Sequence, residues 1–392
     1  MTVVEKVCGR RCDTGEVVTL SVAGGRIAGI QPGGAGGSVG GPEWWLAPGF
    51  LDLQVNGYGG HDFNLGDEDD ASEGCHDFGP LFDALARSGT ALLCPTIITH
   101  SAAQITAALS RLSRALDEEP SWARRVPGIH LEGPYFSPED GPRGAHPREH
   151  VRDPDGDEFQ RFQEAAGGRI KLCTLAPERP GALLFIEKLT ESGIAVALGH
   201  TAASADVIRD AVLAGARLST HLGNGSHALL PRHPNYIWEQ LAHDDLYATI
   251  IADGEHLPAS VVKCFARAKG AARLALVSDA VRLGGLPAGL YDGGRHEVLP
   301  SGRVVLAGTP YLAGAGALLD VCVANALRFT DLSLAQTIAC VSAVPARILG
   351  LQERKGCIEV GHDADLTLFR VPEAGPLEIA ATVCAGEVVY HA

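Results

Sequence analysis

The stretch Ile194-Ala195-Val196-Ala197-Leu198-Gly199-His200-Thr201 is followed by Ser204-Ala205-Asp206-Val207-Ile208-Arg209-Asp210-Ala211-Val212-Leu213-Ala214. An apolar, strand-like run ends on an imidazole and gives way to a helix-like segment. The same unit recurs on both sides of it. Strand-like runs occupy residues 45–55, 90–98, 126–131, 170–175, 194–198, 217–220, 247–252 and 274–278, and helix-like stretches such as 102–116, 204–214 and 257–268 follow several of them. Eight strand-led units over roughly 300 residues predict an α/β fold, a (β/α)8 barrel of the TIM type. An open doubly wound sheet is the alternative, but no Gly-x-Gly-x-x-Gly turn follows the first strand.

The two chain ends read differently. Residues 17–22 and 26–30 are β-rich and joined by Gly24-Gly25, a hairpin signal. A glycine-rich stretch, 33–41, punctuates the chain before the barrel. Residues 365–369 and 382–390 are again β-rich, the second run interrupted by a turn at Ala385-Gly386. The expectation is one small β-sandwich domain built from residues 1–46 and 357–392, with the barrel over 47–356.

Composition narrows the function. With 46% hydrophobic and 20% charged residues among 392, the chain has ample material to enclose a site. A formal net charge of −15 argues against nucleic acid or an anionic membrane as partner. It leaves room for a small anionic substrate, because a few local cations hold one phosphate. The ten cysteines show no Cys-x-x-Cys pair and read as free thiols of a reducing cytosol. Residues 1–13 carry no apolar secretory core, and no apolar run is long enough to span a bilayer. A cytoplasmic location is the expectation. The acidic run Asp67 to Asp70 reads as a solvated loop.

The polar residues fall where a barrel does its chemistry. Gln54 and Asn56 end the first strand, Glu132 the third, His200 the fifth, His221 the sixth and Asp279 the eighth; His256 follows the seventh. In a barrel all these ends open onto one face. Buried ionisable groups there are costly unless paired or metal-bound. Glu132, His200 and His221 make a credible metal triad: two imidazoles and a carboxylate leave positions free for water, as in catalytic zinc sites. His130 shares the face of Glu132 but lies deeper, and reads as a packed group. Asp279 reads as a general acid/base; the alternative is a carboxylate that orients a histidine.

These residues sit in motifs. Pro48-Gly49-Phe50-Leu51-Asp52-Leu53-Gln54-Val55-Asn56-Gly57 is followed by His130-Leu131-Glu132-Gly133-Pro134, Gly199-His200-Thr201, Thr220-His221-Leu222 and Ile250-Ile251-Ala252-Asp253-Gly254-Glu255-His256. Ser278-Asp279-Ala280, Leu306-Ala307-Gly308 and the stretch from Asn325 to Gly350 complete the series. In this order and spacing the chain resembles, over nearly its full length, the N-acetylglucosamine-6-phosphate deacetylases of the amidohydrolase superfamily.

The resemblance implies removal of the acetyl group from N-acetylglucosamine 6-phosphate. It implies Glu132, His200 and His221 as ligands of one divalent ion, Zn2+ first, with Fe2+, Mn2+ or Co2+ as alternatives. It implies Asp279 as the catalytic acid/base and His146, in Gly144-Ala145-His146-Pro147, as the contact to the acetamido group, with Ala145 beside it. Asn224, Gly225, Arg232 and His256 match positions that hold the sugar phosphate, and Leu306, Ala307 and Gly308 match a segment lining the sugar. A homodimer is also implied, with an arginine of the neighbouring subunit reaching the phosphate. Without the resemblance, Arg232 reads as a solvated loop residue and His146 as an exposed one.

Two departures stand out. Many amidohydrolases carry His-x-His at the end of the first strand to hold another metal; here Gln54 and Asn56 stand there, and neutral amides are poor substitutes for imidazole. One tightly held ion is the expectation. After His221 comes Gly223-Asn224-Gly225-Ser226-His227, where the family more often has an aromatic residue before the Asn and small or apolar residues after it. That loop bears on which sugar is bound. His227 reads as a surface residue, with a substrate contact as the alternative. Competing functions are an N-acetylgalactosamine-6-phosphate deacetylase, an N-acyl amino acid hydrolase and a non-catalytic scaffold.

Overall fold

Gly49 splits the first expected strand in two. In the computed structural model, which describes residues 2–34, 39–64, 77–309 and 311–392, one strand spans Val39–Pro48 and the next Phe50–Val55, in different sheets. The reason is local crowding. A Cβ at residue 49 would lie 2.7 Å from Ala91 Cβ and 3.1 Å from the Asp365 backbone, so only glycine passes between the sheets there. The run of apolar residues continues across the switch, which is why 45–55 reads as one strand.

From Phe50 onward the chain builds the barrel. Its strands are Phe50–Val55, Thr90–Ile98, Ile129–Glu132, Ile170–Leu175, Ala195–Leu198, Leu218–Ser219, Tyr247–Ile250 and Leu274–Leu276. Neighbours pair in parallel in chain order. A parallel bridge between Val55 and Ala280 joins the first strand to the segment that follows the eighth. Each strand is followed by a helix: Gly79–Arg87, Ala102–Glu118, Gly156–Ala165, Ala182–Glu191, Ala205–Leu213, Tyr236–Ala242, Ala259–Lys269 and Leu319–Phe329. The helix starts are chemically marked. Ser101, Asp155, Ser204 and Asn235 each accept a backbone N–H of the first turn.

The third strand begins at Ile129 rather than residue 126, because the helix Pro120–Arg125 ends there, with Val126 N–H bonded to the Ala123 carbonyl. The seventh helix starts after Pro258, two residues later than its apolar pattern suggests.

Both chain ends meet in one curled eight-stranded sheet, which forms a small sandwich domain. Its order is Thr2–Val3, Glu387–His391, Glu378–Cys384, Leu366–Arg370, Val39–Pro48, Lys6–Arg11, Val17–Ala23 and Arg26–Pro32. The hairpin at Gly24-Gly25 and the turn at Ala385-Gly386 are both present. The acidic run Asp67 to Asp70, and part of the glycine-rich stretch 33–41, lie outside the described residues. An unexpected element follows the eighth barrel strand: an antiparallel three-stranded sheet of Gly289–Tyr291, His296–Val298 and Val304–Leu306. The nine described cysteines are free thiols. Among the described residues no helix is long and apolar enough to cross a membrane.

Candidate active site

Three side chains converge at the mouth of the barrel. Glu132, the last residue of the third strand, directs Oε1 to within 3.3 Å of His200 Nε2 and 3.0 Å of His221 Nε2. The two Nε2 atoms are 3.1 Å apart. All three residues are buried. Four-coordinate zinc with bonds near 2.0–2.1 Å sets neighbouring ligand atoms about 3.3 Å apart. The observed spacings match the edges of such a site, so the cluster has the capacity to hold one divalent ion. His200 Nδ1–H donates to the Pro142 carbonyl at 2.9 Å, which leaves Nε2 as the ligating atom. Among the described residues His221 Nδ1 has no partner.

The backbone is bent to bring these groups together. Five non-glycine residues among those described have positive φ, and three are His200 (51°), His221 (28°) and Asp279 (50°). Each lies just past a barrel strand, where the chain turns off the sheet. Such conformations cost on the order of 1–3 kcal/mol each and persist where the surroundings impose them. Their concentration at one place marks a built site.

Electrostatics couples the members. Burial opposes ionisation of Glu132, but hydrogen bonds from His200 and His221 more than offset it and hold its carboxyl well below the ordinary value. Burial lowers His200, while for His221 the Glu132 hydrogen bond and charge outweigh burial and raise it. Burial, then the Glu132 charge, push the Asp279 carboxyl up. A carboxyl destabilised as an anion is a better proton acceptor, the property wanted of a general base.

The other expected residues are placed as follows. His146 is buried, its Nε2 3.2 Å from His200 Nε2 and its ring edge-on to Phe136. It belongs to the cluster's rim rather than to an exposed loop, whereas Ala145 is exposed. Burial and the neighbouring His200 hold His146 well below the ordinary histidine value, so it is neutral. Asn224 donates from Nδ2 to the His221 carbonyl at 3.3 Å. Gly225 has a φ of 56°, and a Cβ there would lie 2.7 Å from His200 Nδ1. The imidazole packed on it thus leaves room there for glycine. His227 is tied down too: its backbone N–H donates to the Tyr236 hydroxyl, and its Nε2 lies 3.1 Å from Glu139 Oε2.

His256 Nδ1–H donates to Asp253 at 2.7 Å, which fixes the ring and leaves Nε2 as its other nitrogen. Arg232 is exposed on the segment before the helix Tyr236–Ala242, and no ion pair to it occurs among the described residues. His130 is packed, as read from sequence: Nδ1–H donates to the Leu53 carbonyl and Nε2 accepts from Thr174, with burial lowering its pKa to about 4.

The segment Leu306-Ala307-Gly308 closes the inserted hairpin, with Leu306 N–H bonded to the Tyr311 carbonyl. The same tripeptide recurs at Leu312-Ala313-Gly314, and this second copy leads into Ala315, which bridges Ala280. Ala315 N–H donates to the Asp279 carbonyl at 3.1 Å, and a Cβ at Gly314 would strike Val281. Ala315, the residue after the second copy, is thus the one that contacts Asp279. A shallow pocket beside the cluster is lined by residues that include Thr201, Asn224, Tyr236 and Gln240.

Residues 45–389 match the model of the amidohydrolase family. The chain is 34% identical over 348 residues to the N-acetylglucosamine-6-phosphate deacetylase of Bacillus subtilis (strain 168), covering 88% of this chain and 84% of that one. It is 33% identical to an N-acetylgalactosamine-6-phosphate deacetylase of Escherichia coli O157:H7, covering 88% and 89%. Among solved structures, a variant N-acetyl-D-glucosamine-6-phosphate deacetylase from Mycobacterium smegmatis, in complex with N-acetyl-D-glucosamine-6-phosphate, superposes with a TM-score of 0.84 at 27% identity, covering 99% of this chain and 100% of that one.

Proposed function

The chain belongs to the amidohydrolase family, and from that premise we propose that it hydrolyses the acetamide of N-acetylglucosamine 6-phosphate to glucosamine 6-phosphate and acetate. In broader terms it is a metal-dependent amidohydrolase acting on an N-acetylated sugar phosphate. The observation that carries it is the Glu132, His200 and His221 cluster, with the Asp279 carboxyl in electrostatic reach of both Glu132 and His221.

A divalent ion held by these three residues, Zn2+ in this reading, supplies Lewis acidity and lowers the pKa of a water. The chain's own groups do the rest. Asp279 takes a proton from the attacking water and returns it to the departing nitrogen. Neutral His146 offers a hydrogen bond to the acetamide oxygen as charge develops on it. His256, oriented by Asp253, and Arg232 meet the phosphate, and Asn224, Gly225 and the Leu306-Ala307-Gly308 segment border the sugar. Phosphate contacts remote from the amide orient it and so lower the barrier. The homodimer and the cytoplasmic location are parts of the same reading.

The 33% identical relative supports a second substrate, N-acetylgalactosamine 6-phosphate. Acetate release from both epimers, from the unphosphorylated sugar and from an N-acetyl amino acid tests the assignment. The highest kcat/KM is expected for N-acetylglucosamine 6-phosphate. A higher value for the galacto epimer or for the amino acid would replace it.

A further inference from the structure

The seam where the barrel closes is built around Asp279. Its backbone N–H donates to the Gln54 carbonyl at 2.9 Å, and its own carbonyl accepts from Ala315. One residue earlier, Ser278 N–H donates to the buried Asp52 carboxyl, which also accepts from Gln54 N–H. One residue later, the Ala280 carbonyl accepts from both Asn56 N–H and Gly57 N–H. The first strand therefore grips the turn on either side of Asp279. Asn56 also reaches the reacting group itself: its Nδ2 donates to Asp279 Oδ1 at 2.8 Å. Asn56 is 6% exposed, and its Oδ1 has no partner among the described residues. A buried amide with an orphaned oxygen is expensive to keep, so what its nitrogen does is the reason to keep it.

We propose that Asn56 is a positioning residue for Asp279, which binds Oδ1 and leaves Oδ2 as the oxygen that exchanges protons with water and amine. The inference rests on the acid/base role given above to Asp279. An amide nitrogen is a donor only. Held against Oδ1, it blocks protonation there and stops the carboxyl rotating. Among the described residues Oδ2 has no hydrogen-bond partner, so it stays available. The same logic explains an amide at this position: a carboxylate would repel Asp279, and an apolar side chain would leave its orientation open.

The test is a double-mutant cycle between Asn56→Leu and Asp279→Asn in the metal-loaded protein. In an otherwise unaltered chain, Asn56→Leu is expected to lower kcat about 10- to 100-fold, the scale of a lost buried hydrogen bond to a charged group. KM, bound metal and Tm should change little. In the Asp279→Asn background, the same substitution should have no further effect, because Asn56 acts only through that carboxyl. An equal loss in both backgrounds would overturn the inference, as would a loss that follows bound metal. Full activity of Asn56→Leu beside an inactive Asp279→Asn would overturn it alone. Full activity of Asp279→Asn would overturn the acid/base reading beneath it. Asn56→Ser is read in the same way if the leucine variant does not fold.

Discussion

His200 Nε2 lies 3.1 Å from His221 Nε2, and both lie within 3.3 Å of one oxygen of Glu132. These atoms come from the end of the third barrel strand and from the turns after the fifth and sixth, so no local segment could place them. The barrel supplies the convergence, and the left-handed turns after the strands supply the final aim.

Gly225→Ala tests how tightly the loop supports His200. The added methyl would lie 2.7 Å from His200 Nδ1 at a φ of 56°. The ring must shift from its bond to Pro142. Metal affinity is expected to fall about 10- to 100-fold, the usual effect of disturbing a ligand's supporting contact. Competition with a chelator measures it; unchanged affinity would show that the loop adapts freely.

Arg232→Ala separates phosphate recognition from catalysis. KM for the phosphorylated substrate is expected to rise about tenfold or more, with kcat/KM for the unphosphorylated sugar nearly unchanged. Equal loss on both substrates would remove Arg232 from the phosphate site.

Asp52 gives a pH signature in stability. Burial raises its pKa to about 7, against an unfolded value near 3.9. The native state therefore disfavours the charged form. Its contribution is best below about pH 4, declines as pH rises toward 7 and is flat above that. Asp52→Asn removes this titration. Urea unfolding should show the variant gaining a few kcal/mol on the parent between about pH 4 and 7. Parallel stability curves would mean that Asp52 titrates normally.

The metal cluster was legible because its members fall at strand ends: Glu132 closes the third strand, and His200 and His221 come two residues after the fifth and sixth. The rest depends on contacts between residues far apart in the chain. The switch of sheets at Gly49 carries only Pro48-Gly49 as a break between apolar residues on both sides, and the Ala91 and Asp365 neighbours show that it is a change of sheet. Leu-Ala-Gly occurs twice six residues apart, and only the residue that follows the second copy, Ala315, pairs with Ala280. The burial of His146 depends on Phe136 and His200, distant partners that a Gly/Pro-rich segment does not announce.

The most direct test removes the metal stepwise and follows acetate released from N-acetylglucosamine 6-phosphate together with the ion content of the same samples. Activity is expected to fall in proportion to a single ion per chain and to return when the ion is restored. Acetate release that persists in full on an ion-free chain would contradict the account.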